Sequence, residues 1–101
     1  MQITINARHC ELNEFHKRYA EKEITRLGRY SDHILTVNLI VTYEKHGYIA
    51  ELHIHLNGTT LTSKEEAADI QIAVDRVTQR IEPQLKKYNE KLHDHRVKRE
   101  A

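Results

Sequence analysis

One cysteine, one proline, three glycines and no tryptophan stand in a chain of 101 residues. The lone Cys10 excludes an intramolecular disulfide and fits a reducing compartment. Three glycines scattered along the chain form no phosphate-cradling loop, and no nucleophile motif accompanies them. No apolar run approaches the roughly 20 residues that a membrane helix needs. The opening, Met1-Gln2-Ile3-Thr4-Ile5-Asn6, alternates like a strand and has no signal-peptide core, so a cytoplasmic protein is expected. An excess of one charge is missing as well. Sixteen Lys and Arg face fifteen Asp and Glu, the formal charge is +1 and the pI about 7.9. A dedicated nucleic-acid domain more often exceeds a pI of about 9, so bulk charge argues mildly against such a partner. There is no repeat, low-complexity stretch or internal linker, and the length suits one domain able to fold alone.

The charges that are present are sorted by angle. On a helix of roughly 100° per residue over 69–92, Ile70, Val74, Val77, Ile81, Leu85, Tyr88 and Leu92 form one apolar stripe. Arg76, Arg80, Lys87 and Lys91 each precede a stripe member and line one flank, while Asp75, Glu82 and Glu90 lie on the other. Over 13–30, Arg18, Lys22, Arg26 and Arg29 follow i, i+4, i+8 and i+11 and form a second cationic row. Charges beyond a Debye length of roughly 8 Å are largely screened. Segregation therefore makes a basic face on a nearly neutral molecule, and two such rows suggest a surface that meets a polyanion.

The remaining pattern predicts an α+β fold in the order β-α-β-β-β-α. Residues 2–7 alternate as a strand. Asn13 is a suitable N-cap for a helix reaching about Arg29, with Leu12, Ala20, Ile24 and Leu27 inward, Tyr19 and Tyr30 beside them, and Gly28 near its stop. Residues 34–45 are rich in β-branched types, and His46-Gly47 offers a turn. In 48–57, Tyr48, Ala50, Leu52, Ile54 and Leu56 face one way and Glu51, His53 and His55 the other. Asn57-Gly58 is the strongest hairpin signal, followed by a last strand over 59–64. A strand, crossover helix and strand imply a right-handed unit, and the two turns imply an antiparallel meander. The economical solution is a two-layer sandwich, a four-stranded mixed sheet with both helices on one face and the two basic rows outward and adjacent.

The element order, the length, Leu12-Asn13, Leu27, Tyr30-Ser31-Asp32, the Asn57-Gly58 turn and the run over 69–92 resemble the short ribosome hibernation promoting factors and ribosome-associated inhibitor proteins. The resemblance covers residues 1–95, expected as a single ribosome-binding domain, with 96–101 a frayed tail. It implies a shape related to double-stranded RNA-binding domains. It also implies binding to small-subunit ribosomal RNA in the messenger and transfer RNA channel, and silencing of translation in stress or stationary phase. Long members add a C-terminal dimerisation domain, to which nothing in these residues corresponds. The family's basic positions fall on Arg80, Lys87, Lys91 and Arg26. The chain departs from the pattern at three places. Pro83 replaces a usual arginine and is expected to kink the helix near Gln79. Gln71 replaces a frequent tyrosine, and His16 a usually aliphatic residue.

Other readings compete. One basic row is ordinarily a solvated face. The eight histidines, notably His53 and His55 on one strand face and His93-Asp94-His95, raise a metal-binding alternative, yet zinc needs three or four converging ligands and no thiolate pair exists. His16 is expected to be partly buried with one local partner. Asp69 suits a helix start better than a catalytic base. Tyr43, Tyr48 and Tyr88 read as packing residues, with RNA stacking a lesser alternative. A protein–protein module using the polar sheet face or an edge strand is the rival from another class. The leading expectation is a non-enzymatic ribosome-binding protein, monomeric when free, with no cofactor, catalytic residue, metal, membrane or small-molecule substrate.

Overall fold

Alternation and turn chemistry set the sheet. In the computed structural model, which describes the backbone of residues 1–100 and the side chains of residues 1–91, the elements are β1 (Gln2–Arg8), α1 (Glu14–Arg26), β2 (Ile34–Glu44), β3 (Gly47–Leu56), β4 (Thr59–Ala67) and α2 (Ile70–Glu100). The strands lie in the order β1-β2-β3-β4. β1 runs parallel to β2 across the α1 crossover, and the other two pairings are antiparallel. The expected β-α-β-β-β-α sandwich is the fold observed.

Register carries the apolar residues across the sheet in rows. Ile5 lies beside Leu39, Leu39 beside Leu52, and Leu52 beside Ser63. Ile3, Val37, Ile54 and Leu61 make the next row. Both helices cover this face. Ala20, Ile24 and Leu27 come down from the first helical segment, and Ile70, Val74, Val77, Ile81 and Leu85 from α2, all buried as their spacing predicts. Tyr19, Tyr30 and Tyr88 are half-buried against this core; the side chain of Leu92 lies outside the described residues. Ser63 is the polar member of its row, and it donates its Oγ hydrogen to the Val77 carbonyl at 2.9 Å, so its burial leaves no unmet hydroxyl.

Ends and turns follow local chemistry. The Asn13 side chain accepts from His16 N at 2.8 Å, and Asp69 caps α2 by accepting from Gln71 N at 2.8 Å. After Arg26 the helix tightens into a 3₁₀ turn over Leu27–Arg29. Asn57-Gly58 forms the β3–β4 hairpin, with Gly58 at φ 81°. The β2–β3 turn sits one residue earlier than expected. Lys45 and His46 take positive φ of 49° and 70° as its central pair, while Gly47 opens β3 opposite Glu44. Gly47 also lies close to the next strand: a Cβ there would stand 3.3 Å from the Ala67 carbonyl of β4.

α2 continues as one helix across Pro83 to Glu100. Pro83 cannot donate to the Gln79 carbonyl. Both residues are exposed, so water can serve that acceptor.

Candidate nucleic-acid interface

Along α1 and the 3₁₀ turn that follows it, the inward arc is Ala20, Ile24 and Leu27, and the row Arg18, Lys22, Arg26 and Arg29 is exposed on the opposite arc. Arg26 is tied to Glu23 one turn back, at 3.0 Å, and this hydrogen bond holds its guanidinium above the ordinary arginine pKa. Arg18, Lys22 and Arg29 have no ion-pair partner among the described residues.

On α2 the row Arg76, Arg80, Lys87 and Lys91 is likewise exposed. Its first half leans over the free edge of β4. Arg76 Nη1 donates to the Glu66 carbonyl at 2.9 Å, Arg80 Nη1 meets Glu65 Oε2 at 2.9 Å, and Gln84 Nε2 donates to the Thr62 carbonyl at 3.0 Å. These contacts cover two carbonyls of the edge strand, so they blunt its capacity to add another strand. Arg80 remains 63% exposed in its side chain, so the pair with Glu65 lowers its free charge without hiding it.

The opposite flank of α2 faces α1. Tyr19 donates its hydroxyl to Asp75, Glu82 adds to the field on Arg26, and the Lys86 ammonium stands 5.1 Å from the centre of the Tyr30 ring. Each pair has the same separation along the chain, which means that the two helices run parallel and in step. This arrangement corrects the expectation that the rows are adjacent. Because the acidic flank of α2 turns toward α1, Asp75 and Glu82 lie between the rows. One row crowns α1 and the other hangs over β4.

The histidines whose side chains are described form no centre. His53 pairs with Glu51 at 2.9 Å and His55 with Thr60 at 3.1 Å on the open face of the sheet. Among the described residues no three His, Cys, Asp or Glu side chains converge in a way that could hold a metal ion; the side chains of His93, Asp94 and His95 lie outside them. His16 departs from expectation, for its Nδ1 is buried and has no hydrogen-bond partner among the described residues.

A profile of the sigma 54 modulation protein / S30EA ribosomal protein family matches residues 3–93. The chain belongs to that family. Within it, the chain is 31% identical over 91 residues to the ribosome hibernation promoting factor of Azotobacter vinelandii, covering 90% of this chain and 85% of that one. It is 26% identical over 95 residues to the Escherichia coli K12 protein of the same name, covering 94% and 100%. Solved structures share the fold. The N-terminal domain of Thermus thermophilus Protein Y superposes with a TM-score of 0.80 at 31% identity, covering 87% of this chain and 99% of that one. A ribosomal subunit interface protein from Coxiella burnetii gives 0.80 at 25% identity, with 89% and 99% covered. No helix among the described residues is long and apolar enough to cross a membrane.

Sequence reasoning passed over Phe15, Glu65 and Gln84. Phe15 is 57% exposed and stands three residues before Arg18 on the same helix face. Its position off the apolar stripe was the available signal. Glu65 and Gln84 carried none, because the contact of Glu65 with Arg80 and that of Gln84 with Thr62 each join residues from different elements.

Proposed function

We propose that this S30EA family member is a non-enzymatic, cytoplasmic factor that binds small-subunit ribosomal RNA in the messenger and transfer RNA channel and promotes ribosome hibernation. Residues 1–95 form the ribosome-binding domain. The observation that carries the reading is the pair of exposed cationic rows on one helical layer, in a chain whose relatives are named ribosome hibernation promoting factors. Arg18, Lys22, Arg26 and Arg29 engage phosphates from α1, and Arg76, Arg80, Lys87 and Lys91 from α2. Arginine forks two phosphate oxygens while lysine acts as a point charge. Because the rows stand on separate flanks, they meet two strands or two segments of folded RNA, and the shape of the RNA is read instead of its sequence. Occupying the channel excludes messenger and transfer RNA sterically, which requires no chemistry from the protein.

The test is co-sedimentation of the purified chain with small ribosomal subunits at graded salt, beside a cell-free translation reaction. Binding weakens by about 0.7–0.9 log units per log unit of salt for each phosphate neutralised, and translation falls as subunits fill. Salt-independent binding, or full occupancy with undiminished translation, would refute the proposal. The edge-strand alternative is disfavoured at β4, where Arg76 and Gln84 already occupy outward carbonyls.

A further inference from the structure

Phe15 is the most exposed large apolar side chain of the helical layer among the described residues, and core packing does not account for it. Its ring is nevertheless held in place. It stacks on Tyr19 with centroids 6.1 Å apart and planes 20° from parallel, and it meets the His16 ring edge-on at 5.9 Å. Tyr19 is itself fixed by its hydrogen bond to Asp75 of α2. The Phe15 ring thus lies beside an anchored aromatic and nearly parallel to it. Along the same helix face Arg18 stands one turn on from the ring and Lys22 one turn beyond that, both exposed and without an ion-pair partner among the described residues.

We infer that Phe15 is a stacking platform for an unpaired base of ribosomal RNA, with Arg18 and Lys22 taking the adjoining phosphates. The inference rests on the ribosomal RNA reading above and adds a contact of another kind, an apolar one within a cationic row. Unpaired bases of RNA are commonly recognised by stacking on aromatic side chains, because every base offers a π-face. A solvent-facing ring costs water contacts until something flat covers it, and a base brings its phosphates to the neighbouring cations. An apolar protein partner would leave Arg18 and Lys22 facing apolar surface, which disfavours it. Such a partner would also engage Ile72, the other exposed large apolar residue of the helical layer among the described residues.

The chain has no tryptophan, so Phe15→Trp installs a single fluorescent reporter. Mixed with purified small subunits, the full chain carrying Phe15→Trp should bind like the wild type and lose emission on binding. Phe15→Ala should weaken binding about ten-fold, by the same factor at low and high salt. Arg18→Gln should instead lower the salt slope by roughly 0.7–0.9. Ile72→Ala should bind like the wild type. Thermal melts of each variant establish that these exposed substitutions leave the fold intact. Undiminished binding by Phe15→Ala, or unquenched tryptophan in the bound complex, overturns the inference while the phosphate-based reading stands. Equal losses from Ile72→Ala and Phe15→Ala overturn it in favour of an apolar protein contact. Failure of the wild-type chain to bind small subunits at any salt overturns the underlying reading, and this inference with it.

Discussion

The Tyr19 hydroxyl of α1 donates to the Asp75 carboxylate of α2, joining the acidic flank of the long helix to its neighbour. It uses an acidic group at the helix–helix seam and leaves the basic flank turned outward. The bond keeps the Tyr19 proton in place, and its pKa lies above the ordinary tyrosine value. A tyrosine whose folded pKa is raised stabilises the fold fully below the unfolded pKa, near 10. That contribution is lost as pH rises through the folded pKa, because the unfolded chain ionises first. Thermal melts between pH 8 and pH 11 should therefore show a smaller alkaline decline in Tyr19→Phe than in the wild type. Parallel declines would show that the bond contributes nothing to the pH dependence.

Val77 sits at the centre of the interface between α2 and the sheet and is fully buried. Val77→Ala should destabilise the protein by about 1–3 kcal/mol through lost burial and the cavity left behind. Chemical denaturation with an unchanged midpoint would contradict the packing described.

His16 places a buried ring nitrogen where no partner reaches it. An unsatisfied buried polar atom costs roughly 1–3 kcal/mol. His16→Leu removes it with a side chain of similar size, so the melting temperature should rise. The His16 backbone N–H bond to Asn13 survives the change, which isolates the ring. A lowered melting temperature would mean that the imidazole contributes favourably in its place.

The two flanks of α2 allow a test of geometry against bulk charge. Arg80→Gln with Lys87→Glu removes charge from the flank over β4, and glutamine at position 80 avoids placing a second acid against Glu65. The comparison is Lys86→Gln with Lys17→Glu, the same net change of charge at exposed lysines outside both rows. The first pair should reduce co-sedimentation with small subunits far more than the second. Arg26→Glu on α1 should also weaken binding. Because the rows are separated by the acidic seam, its effect should add to that of the α2 pair instead of duplicating it. Equal losses from both pairs would mean that no oriented basic face exists.

His53 and His55 are satisfied by Glu51 and Thr60 on the open sheet face. Dialysis against a strong chelator should leave the melting temperature unchanged, since stability here rests on apolar burial. A substantial drop would reinstate a histidine-bound metal as part of the fold.

The sequence by itself determined the elements, their order and their inner faces. Periodicity is a local property: Ile24, Leu27, Val74, Val77 and Ile81 declare the buried arc through spacing alone, and Ala50, Leu52 and Ile54 do so through alternation. Cap and turn chemistry is also local, which is why Asn13, Asp69 and Asn57-Gly58 could be placed in advance. The β2–β3 turn falls one residue earlier than the Gly47 signal suggested, because Gly47 pairs with Glu44 as the first residue of β3. The grouping of cations into rows was legible for the same reason as the stripes. What the rows face was not. Only the tertiary structure decided that α1 lies along the acidic flank of α2, that Arg80 meets Glu65, that Gln84 covers the edge of β4, and that Phe15 stacks on an anchored Tyr19. A helix can present either flank to a neighbour with the same apolar stripe buried. The choice is made by where the chain crosses over and how the two helices align, and those are contacts between residues far apart in sequence.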